Sequence, residues 1–205
     1  MEKILRNRII TNGILEPIDL KCDGQLNPIR VTDDYIDISY KSKETPARVL
    51  SNLYPYQFNY FGFPVNSIEA VIQSLKYQDK KIRETCYSYA GIDAWHLRGM
   101  TPYDWQQDGI LYTPSGEINR FSNEYQDFID GVYASILDNP LYCQNLLQSN
   151  GKELDHMNGE DNEEYTTLTR TEYISRLYAL RECLIQQATN RNEVLKALKR
   201  VRTEL

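Results

Sequence analysis

Apolar positions recur at helical spacing along most of this chain. In the segment 66–77, NSIEAVIQSLKY, the apolar residues Ile68, Val71, Ile72 and Leu75 repeat at the period of a helix, which predicts a helix with one core-facing side. The same periodicity predicts further helices over 79–99, 123–138, 140–149, 169–188 and 192–202. Helices therefore make up most of the regular structure that the sequence predicts.

Strand signals are short and lie mainly before the helix at 66–77. Residues 35–40, YIDISY, alternate and carry β-formers, which predicts a strand. Residues 57–65 place a glycine among aromatic residues and predict a hairpin, and the Pro, Gly and Asp residues of 101–120 predict a surface hairpin or loop. The predicted fold class is α+β, predominantly helical, with a small β portion near the N-terminus.

The same patterns predict one domain with additions at both ends. Residues 1–34 contain short apolar groups separated by turn signals, and we expect them to form an N-terminal extension packed on the domain. Residues 35–188 are predicted to form the domain itself, and residues 189–205 a C-terminal helix. No internal repeat or low-complexity linker divides the chain.

A polar stripe lies beside the apolar face of the helix predicted at 66–77. Glu69 and Gln73 are four positions apart, and Gln73 and Lys76 are three apart, so the three side chains share one side of the helix. One interpretation is a solvated edge, in which Glu69 forms a capping box with Asn66 at the helix start. The other is the wall of an active site.

Charge and composition limit the classes of partner. The net charge of −6 does not favour tight binding along a nucleic-acid backbone, which usually needs a basic surface. The compact basic group in the middle of the chain, formed by Lys76, Lys80, Lys81 and Arg83, suits a phosphate-rich ligand. No apolar run reaches the roughly 18 residues of a membrane span, and no secretory signal is recognised, so we expect a cytoplasmic protein without membrane contact.

Cysteine and histidine spacing does not indicate a metal site. The four cysteines are far apart, without a CxxC pair, and the two histidines lie near none of them in sequence. A disulfide framework is not expected at this density. We therefore predict neither a metal nor an organic cofactor.

Four segments occur in an order that resembles the YbiA-like, or NADAR, family of N-glycosidases. They are VLSNLYP at 49–55, the helix carrying Glu69, Gln73 and Lys76, LDNPLYCQNLLQSNGKELDH at 137–156, and ISRLYALRECL at 174–184. Family members carry LSNFYP, a helix of the type EHYFQAQK, and related later blocks. The resemblance covers roughly residues 35–185. Where members typically carry a WGxG motif and a GKN loop, this chain has MNGEDNEEYTTLTRT at 157–171.

The resemblance implies a fold, a reaction and a set of site residues. It implies a YbiA-like domain that hydrolyses a bond between ribose and a nitrogen base, without a metal or cofactor. The implied substrates are ADP-ribosylated guanine in DNA or riboflavin-pathway compounds. Hydrolysis of the first would reverse the modification made by a toxin. The implied catalytic residues are Glu69 and Lys76, with the second activated by Lys80 and Arg83. The implied substrate-binding residues are Asn52, Tyr54, Gln73, Arg83 and Trp95.

Two alternatives remain open for this sequence. Because the segment 157–171 departs from the family pattern, the chain could be a catalytically degenerate module that binds an ADP-ribose-like nucleotide or a protein partner. Tyr54 and Trp95 also have a structural interpretation as packing residues. A compact, stand-alone form of the family would suit a bacteriophage. The oligomeric state is left open.

Overall fold

The computed structural model describes residues 31–99 and 104–203, together with the backbone of a short hairpin nearer the N-terminus. That hairpin pairs β1 (Ile10–Thr11) with β2 (Ile14–Leu15). Most of the predicted extension 1–34 lies outside the described residues. From Val31 onward the chain is described as far as Gly99, and again from Asp104.

The described part of the chain is α+β and mainly helical. Its helices are α1 (Thr45–Val49), α2 (Ile68–Ser74), α3 (Lys80–Cys86), α4 (Gly91–His96), α5 (Asn123–Ile136), α6 (Pro140–Gln148), α7 (Arg170–Ile185) and α8 (Arg191–Thr203), with 3-10 turns at Leu97–Gly99 and Trp105–Gln107. The later strands are β3 (Tyr35–Asp37), β4 (Phe58–Tyr60), β5 (Phe63–Val65), β6 (Ile110–Thr113), β7 (Gly116–Asn119) and β8 (Glu153–Asp155). None of the described helices combines the length and the apolarity needed to cross a bilayer.

The apolar stripes of the helices meet in one core. On α2, Ile68, Val71 and Leu75 are buried, as their spacing predicts. Helix α7 packs against α6 and α8, and α5 packs against α8 and the hairpin strand β4. The predicted hairpins at 57–65 and within 101–120 are present as β4–β5 and β6–β7, both antiparallel.

The single helix predicted over 79–99 is wrong, because the structure divides it into α3 and α4. Between them the carbonyl of Tyr87 accepts a hydrogen bond from the backbone N–H of Asn66 at 2.9 Å, and the carbonyl of Tyr89 accepts one from the Ser67 hydroxyl at 3.2 Å. These carbonyls therefore accept hydrogen bonds from the residues that precede α2, and they are not used to continue α3 as a helix. Gly91 opens α4 with a φ of 60°, a conformation that glycine adopts without steric cost.

Strand β8 was not predicted, and it pairs with β3 in parallel. The register joins Tyr35 to Glu153 and Asp37 to Asp155. Because parallel strands point the same way, the segments that leave their carboxyl ends emerge side by side. The segment after β3 leads to α1, and the segment after β8 leads to α7. These two segments form one side of the cleft described next.

Candidate functional site

A cleft of about 1060 Å³ lies between α2, α4, the segment 50–55 and the segments that follow β3 and β8. Clefts that hold cofactor-sized ligands commonly have volumes of roughly 300–1,000 Å³. Its lining includes six of the seven residues predicted for the site, which are Asn52, Tyr54, Glu69, Gln73, Lys76 and Trp95. The cleft is therefore large enough for a nucleotide and contains the polar stripe of α2.

Helix α2 begins one residue later than predicted, and this changes the role of Glu69. The N-cap is Ser67, whose Oγ accepts a hydrogen bond from the backbone N–H of Ala70 at 3.0 Å. Asn66 instead donates from Nδ2 to the carbonyl of Ser88 at 2.7 Å. The predicted capping box between Asn66 and Glu69 is wrong, because Ser67 occupies the cap position. The Glu69 carboxylate is thus directed to other partners.

Glu69, Gln73 and Lys76 form a hydrogen-bonded row along the cleft wall. Gln73 donates from Nε2 to Oε1 of Glu69 at 2.7 Å, and Lys76 donates from Nζ to Oε1 of Gln73 at 2.9 Å. Gln73 is only 5 % exposed. Its amide therefore links the carboxylate to the amine and restricts the orientation of both.

Burial moves both ionisable groups of this row toward their neutral forms. It raises the pKa of Glu69, against the opposing effects of the Gln73 hydrogen bond and of the charges on Lys76 and Arg98. Burial also lowers the pKa of Lys76; Glu69 opposes this effect, and Arg98 adds to it. From the sequence, Lys80 and Arg83 were predicted to be the cations that lower the pKa of Lys76. In the structure, the cation with this effect is Arg98. A carboxyl and an amine shifted in these directions are suited to proton transfer and to nucleophilic attack.

Asn52 is fixed from two sides at the edge of the row. Its carbonyl accepts a hydrogen bond from the backbone N–H of Glu69 at 2.9 Å, and its Oδ1 accepts one from the Tyr133 hydroxyl at 2.8 Å. Tyr133 belongs to α5 and is fully buried. The side-chain Nδ2 of Asn52 can therefore donate to a ligand from a defined position.

Two aromatic residues of the lining are only partly buried. The guanidinium carbon of Arg98 lies 3.3 Å from the centroid of the Trp95 ring, a cation–π contact between residues three positions apart. Tyr54 lies at the cleft surface and also packs on Tyr56, with their ring centroids 4.9 Å apart. Tyr54 therefore has a packing contact in addition to its place in the cleft. Sequence reasoning missed Arg98, although its spacing from Trp95 was a usable signal.

Arg83 does not line the cleft. Its Nη1 donates to the carbonyls of Tyr77 and Gln78 at 2.9 Å and 2.6 Å, and the residue is 8 % exposed. These carbonyls lie in the turn between α2 and α3, and the Arg83 guanidinium supplies their donor. The structure therefore contradicts the phosphate-binding role predicted for Arg83, since the guanidinium is committed to the backbone.

His156 completes the opposite side of the cleft and was not predicted. Its Nδ1 lies 2.7 Å from the carbonyl of Ile38, which is 118 positions away. Its ring meets the ring of Tyr173 edge-on, with a centroid distance of 5.6 Å. His156 follows β8 directly, and because that strand was missed, nothing in the sequence placed this histidine near Glu69.

The described residues contain no group of three His, Cys, Asp or Glu side chains arranged to hold a metal ion. Cys86, Cys143 and Cys183 are free thiols, and burial raises the pKa of each. Cys22 lies outside the described residues. The lining of the cleft presents carboxyl, amine, amide and aromatic groups.

Comparison with known proteins gives a family. The family model described as bacteriophage protein GP30.3 matches residues 44–182, which is 139 of the 205 residues. The matched span includes the Glu69–Gln73–Lys76 row and the segment that carries His156. No curated protein and no solved structure shows significant similarity to the chain.

Proposed function

This chain belongs to the bacteriophage protein GP30.3 family, and we propose that its cleft is the active site of an N-glycosidase with a YbiA-like fold. The reaction is hydrolysis of the bond between a ribose and a nitrogen base. The proposed substrate is a base that carries ADP-ribose, such as guanine in DNA, or a related ADP-ribosyl or riboflavin-pathway compound. The observation that carries the proposal is the hydrogen-bonded Glu69–Gln73–Lys76 row in a cleft of nucleotide size.

In a direct hydrolysis, Glu69 acts on the water. The water oxygen bonds to the anomeric carbon while the carboxylate accepts a water proton, and the carbon–nitrogen bond breaks with its electron pair going to nitrogen. The same proton then passes from Glu69 to the departing nitrogen. A carboxylate at this position also stabilises the positive charge that builds up on the ribose ring. The raised pKa of Glu69 brings this group closer to the range in which it can both accept and return a proton.

In a covalent route, Lys76 acts first. Its neutral amine bonds to the anomeric carbon as the bond to the base breaks, and an amine proton passes to the departing base nitrogen. The bond from the anomeric carbon to the ring oxygen then breaks, the ring oxygen takes the second amine proton, and a Schiff base remains on Nζ. Water then adds to that carbon and releases the lysine. The route needs an amine whose pKa is below its usual range, which is the direction found for Lys76.

The other cleft residues have roles in binding. The Nδ2 of Asn52 is placed to donate to a ribose hydroxyl, because Tyr133 occupies its Oδ1. Trp95 and Tyr54 offer ring faces on which a base can stack. Gln73 orients both reacting groups, since it bonds to Glu69 and Lys76 at the same time.

The test is release of the base from defined substrates. We expect turnover of DNA carrying ADP-ribosylated guanine or of riboflavin-pathway amines, and loss of turnover in Glu69→Gln. The matched control is Glu84→Gln on α3, whose carboxylate pairs with Lys80 at the surface. If none of these substrates is consumed while an active control enzyme consumes them, the enzymatic proposal is wrong.

Borohydride separates the two routes. Reduction during turnover traps a Schiff base as a stable adduct of the ribose on Lys76, which mass spectrometry detects. The covalent route predicts this adduct in the native chain and its loss in Lys76→Met, with Lys81→Met on the exposed face of α3 as the control. The direct route predicts no adduct and turnover that persists in Lys76→Met.

A second candidate rests on the segment 157–171, which lacks the WGxG and GKN motifs. In this view the cleft binds an ADP-ribose-like nucleotide without cleaving it, and protein partners are a further possibility for the same scaffold. Calorimetry with ADP-ribose distinguishes it from the enzyme. The binding module predicts affinity that survives Glu69→Gln and a native chain that forms no product.

A further inference from the structure

Two cationic side chains lie at the end of the cleft formed by α1 and the segment after β3. Lys41 and Arg48 both line the cleft, and both are half-buried. Among the described residues neither forms an ion pair with a carboxylate. By contrast, Arg170 in the same cleft is paired with Asp155 at 2.6 Å.

The backbone places these two residues on adjacent segments. The N–H of Ser39 donates to the carbonyl of Ala47 at 3.0 Å, which holds the segment after β3 against α1. A turn follows, in which Ser42 donates from its N–H to the carbonyl of Ser39 at 2.9 Å. Lys41 therefore lies in this turn, next to the helix that carries Arg48.

Arg48 has an unsatisfied donor. Its Nε is buried and has no hydrogen-bond acceptor among the described residues. Leaving a buried donor of a charged group without a partner costs free energy, and native structures usually satisfy such groups. A phosphate in the cleft is a suitable partner for the part of the Arg48 side chain that lines it, because guanidinium groups bind phosphate through short, charge-assisted hydrogen bonds.

From these observations we propose that Lys41 and Arg48 form a phosphate-binding subsite for a phosphorylated ribosyl ligand. The subsite deepens the proposed function and rests on it, since it assigns the substrate class of the same cleft. A ligand phosphate at Lys41 and Arg48 is the anchor, and the ribose reaches toward Glu69 and Lys76. The phosphate and the scissile bond of the ligand are then bound by different residues of the lining.

The rim of the cleft favours a free nucleotide-sized compound as the source of that phosphate. Glu160 lines the cleft, and the exposed carboxylates of Asp161, Glu163 and Glu164 follow it. A cluster of like charges repels a long polyanion such as DNA, and the repulsion is strongest at low salt. A compact ligand lies inside the cleft, beside Lys41 and Arg48, and does not extend along the acidic rim.

The experiment measures binding without requiring turnover. We expect the Glu69→Gln chain to bind ADP-ribose in calorimetry, and inorganic pyrophosphate to compete. Adding Lys41→Gln or Arg48→Gln is expected to weaken ADP-ribose binding at least about tenfold, as loss of a charge-assisted contact does. The control is Lys43→Gln, an exposed lysine outside the lining, and Arg48→Lys tests whether the charge alone suffices.

Several outcomes overturn the subsite. They are no binding of ADP-ribose, unchanged affinity in both cleft variants, or an equal loss in Lys43→Gln. Thermal unfolding verifies that each variant is folded, and Lys41→Gln decides the comparison if Arg48→Gln is not.

The two proposals can fail separately. Weaker binding in the Lys41 and Arg48 variants without turnover of any substrate supports the subsite and contradicts the enzyme. Turnover by the native chain, with unchanged affinity in these variants, supports the enzyme and contradicts the subsite. A parallel measurement with ADP-ribosylated DNA identifies the source of the phosphate: tighter binding of the free compound supports the effect assigned to the rim, and tighter binding of the DNA contradicts it.

Discussion

The hydroxyl of Tyr133 donates a hydrogen bond to Oδ1 of Asn52 at 2.8 Å, across 81 positions of the chain. A fully buried residue of α5 thereby orients a side chain in the cleft. The carbonyl of Asn52 also accepts the backbone N–H of Glu69. The geometry of the cleft thus depends on a core residue that does not line it.

Tyr133→Phe is the first prediction, because it removes the donor and keeps the ring. We expect the KM of the proposed reaction to rise roughly three- to tenfold, since a hydrogen bond of this kind contributes about 0.5–1.5 kcal/mol, with a smaller effect on kcat. Steady-state kinetics on the purified variant gives both values.

The matched control is Tyr77→Phe. Tyr77 is also buried and donates its hydroxyl to the carbonyl of Leu97 at 2.8 Å, outside the cleft. Both variants should lose a similar, small amount of stability, about 1 kcal/mol. An equal rise in KM for the two variants would contradict the positioning role of Tyr133.

Glu69→Gln is predicted to change how stability depends on pH. Because burial raises the pKa of Glu69, the folded chain holds this proton more tightly than the unfolded chain does. The stability it contributes is present below the unfolded pKa of about 4.3 and is lost as the pH rises through the folded pKa. Glutamine stays neutral, so the variant should gain stability relative to the native chain as the pH rises.

Urea unfolding at about pH 4 and about pH 8 measures this change in the free energy of unfolding. The comparison is again Glu84→Gln on α3. A gain of the same size in that variant would show that the effect does not come from burial of Glu69.

Glu172 is predicted to be essential for stability. Arg120, whose side chain is fully buried, donates from Nη1 and Nη2 to the two carboxylate oxygens of Glu172 at 3.1 Å and 2.8 Å. Replacing Glu172 by Gln leaves a buried guanidinium without its counter-charge, which costs about 3–5 kcal/mol. Urea unfolding should show this loss. Glu182→Gln, on the exposed side of α7, is expected to change stability by less than about 0.5 kcal/mol.

Glu172 is also the basis for a predicted loss of stability of the native chain in acid. Burial acts to raise the pKa of Glu172, but the charge of Arg120 and the hydrogen bonds of the helix cap outweigh it, and the net pKa is lowered. Its contribution is therefore present above the unfolded pKa and is lost as the pH falls through the folded pKa. A chain that loses no more stability in acid than the Glu172→Gln variant does would contradict this assignment.

Gly91→Ala is predicted to disturb the cleft as well as the backbone. Gly91 has a φ of 60°, and a Cβ there would lie 2.4 Å from the hydroxyl oxygen of Tyr40, which lines the cleft. Gly62→Ala is the control, because Gly62 has a φ of 83° and no atom within 4 Å of an added Cβ. Both variants carry a backbone cost of about 1–2 kcal/mol. Only Gly91→Ala should lose more and bind ligand more weakly, as unfolding and calorimetry would show.

Local pattern was sufficient to predict α2 and its two faces. The spacing of Ile68, Val71 and Leu75 identified the buried side, and the spacing of Glu69, Gln73 and Lys76 identified one polar wall. The cap was misplaced by one residue, because Asn66 and Ser67 are both good N-cap residues. Sequence alone did not show that the Asn66 side chain is used by the carbonyl of Ser88.

The errors and omissions have a common cause in contacts between distant segments. Arg83 was grouped with Lys76 by proximity in sequence, but its guanidinium bonds to the carbonyls of Tyr77 and Gln78 in the turn between α2 and α3. Lys41, Arg48 and His156 reach the cleft through the pairing of β3 with β8. A three-residue strand such as β8 is too short for alternation to reveal it.

The parallel pairing of β3 and β8 also sets the order in which the protein can be completed during synthesis. The two strands have a helix-rich crossover between them, so Lys41 and Arg48 emerge from the ribosome long before the segment after β8, which forms the same side of the cleft. Contacts between distant segments close slowly, and one side of the cleft is incomplete until β8 pairs with β3. A nascent chain should therefore become able to retain a ligand only after β8 and the start of α7 have been translated.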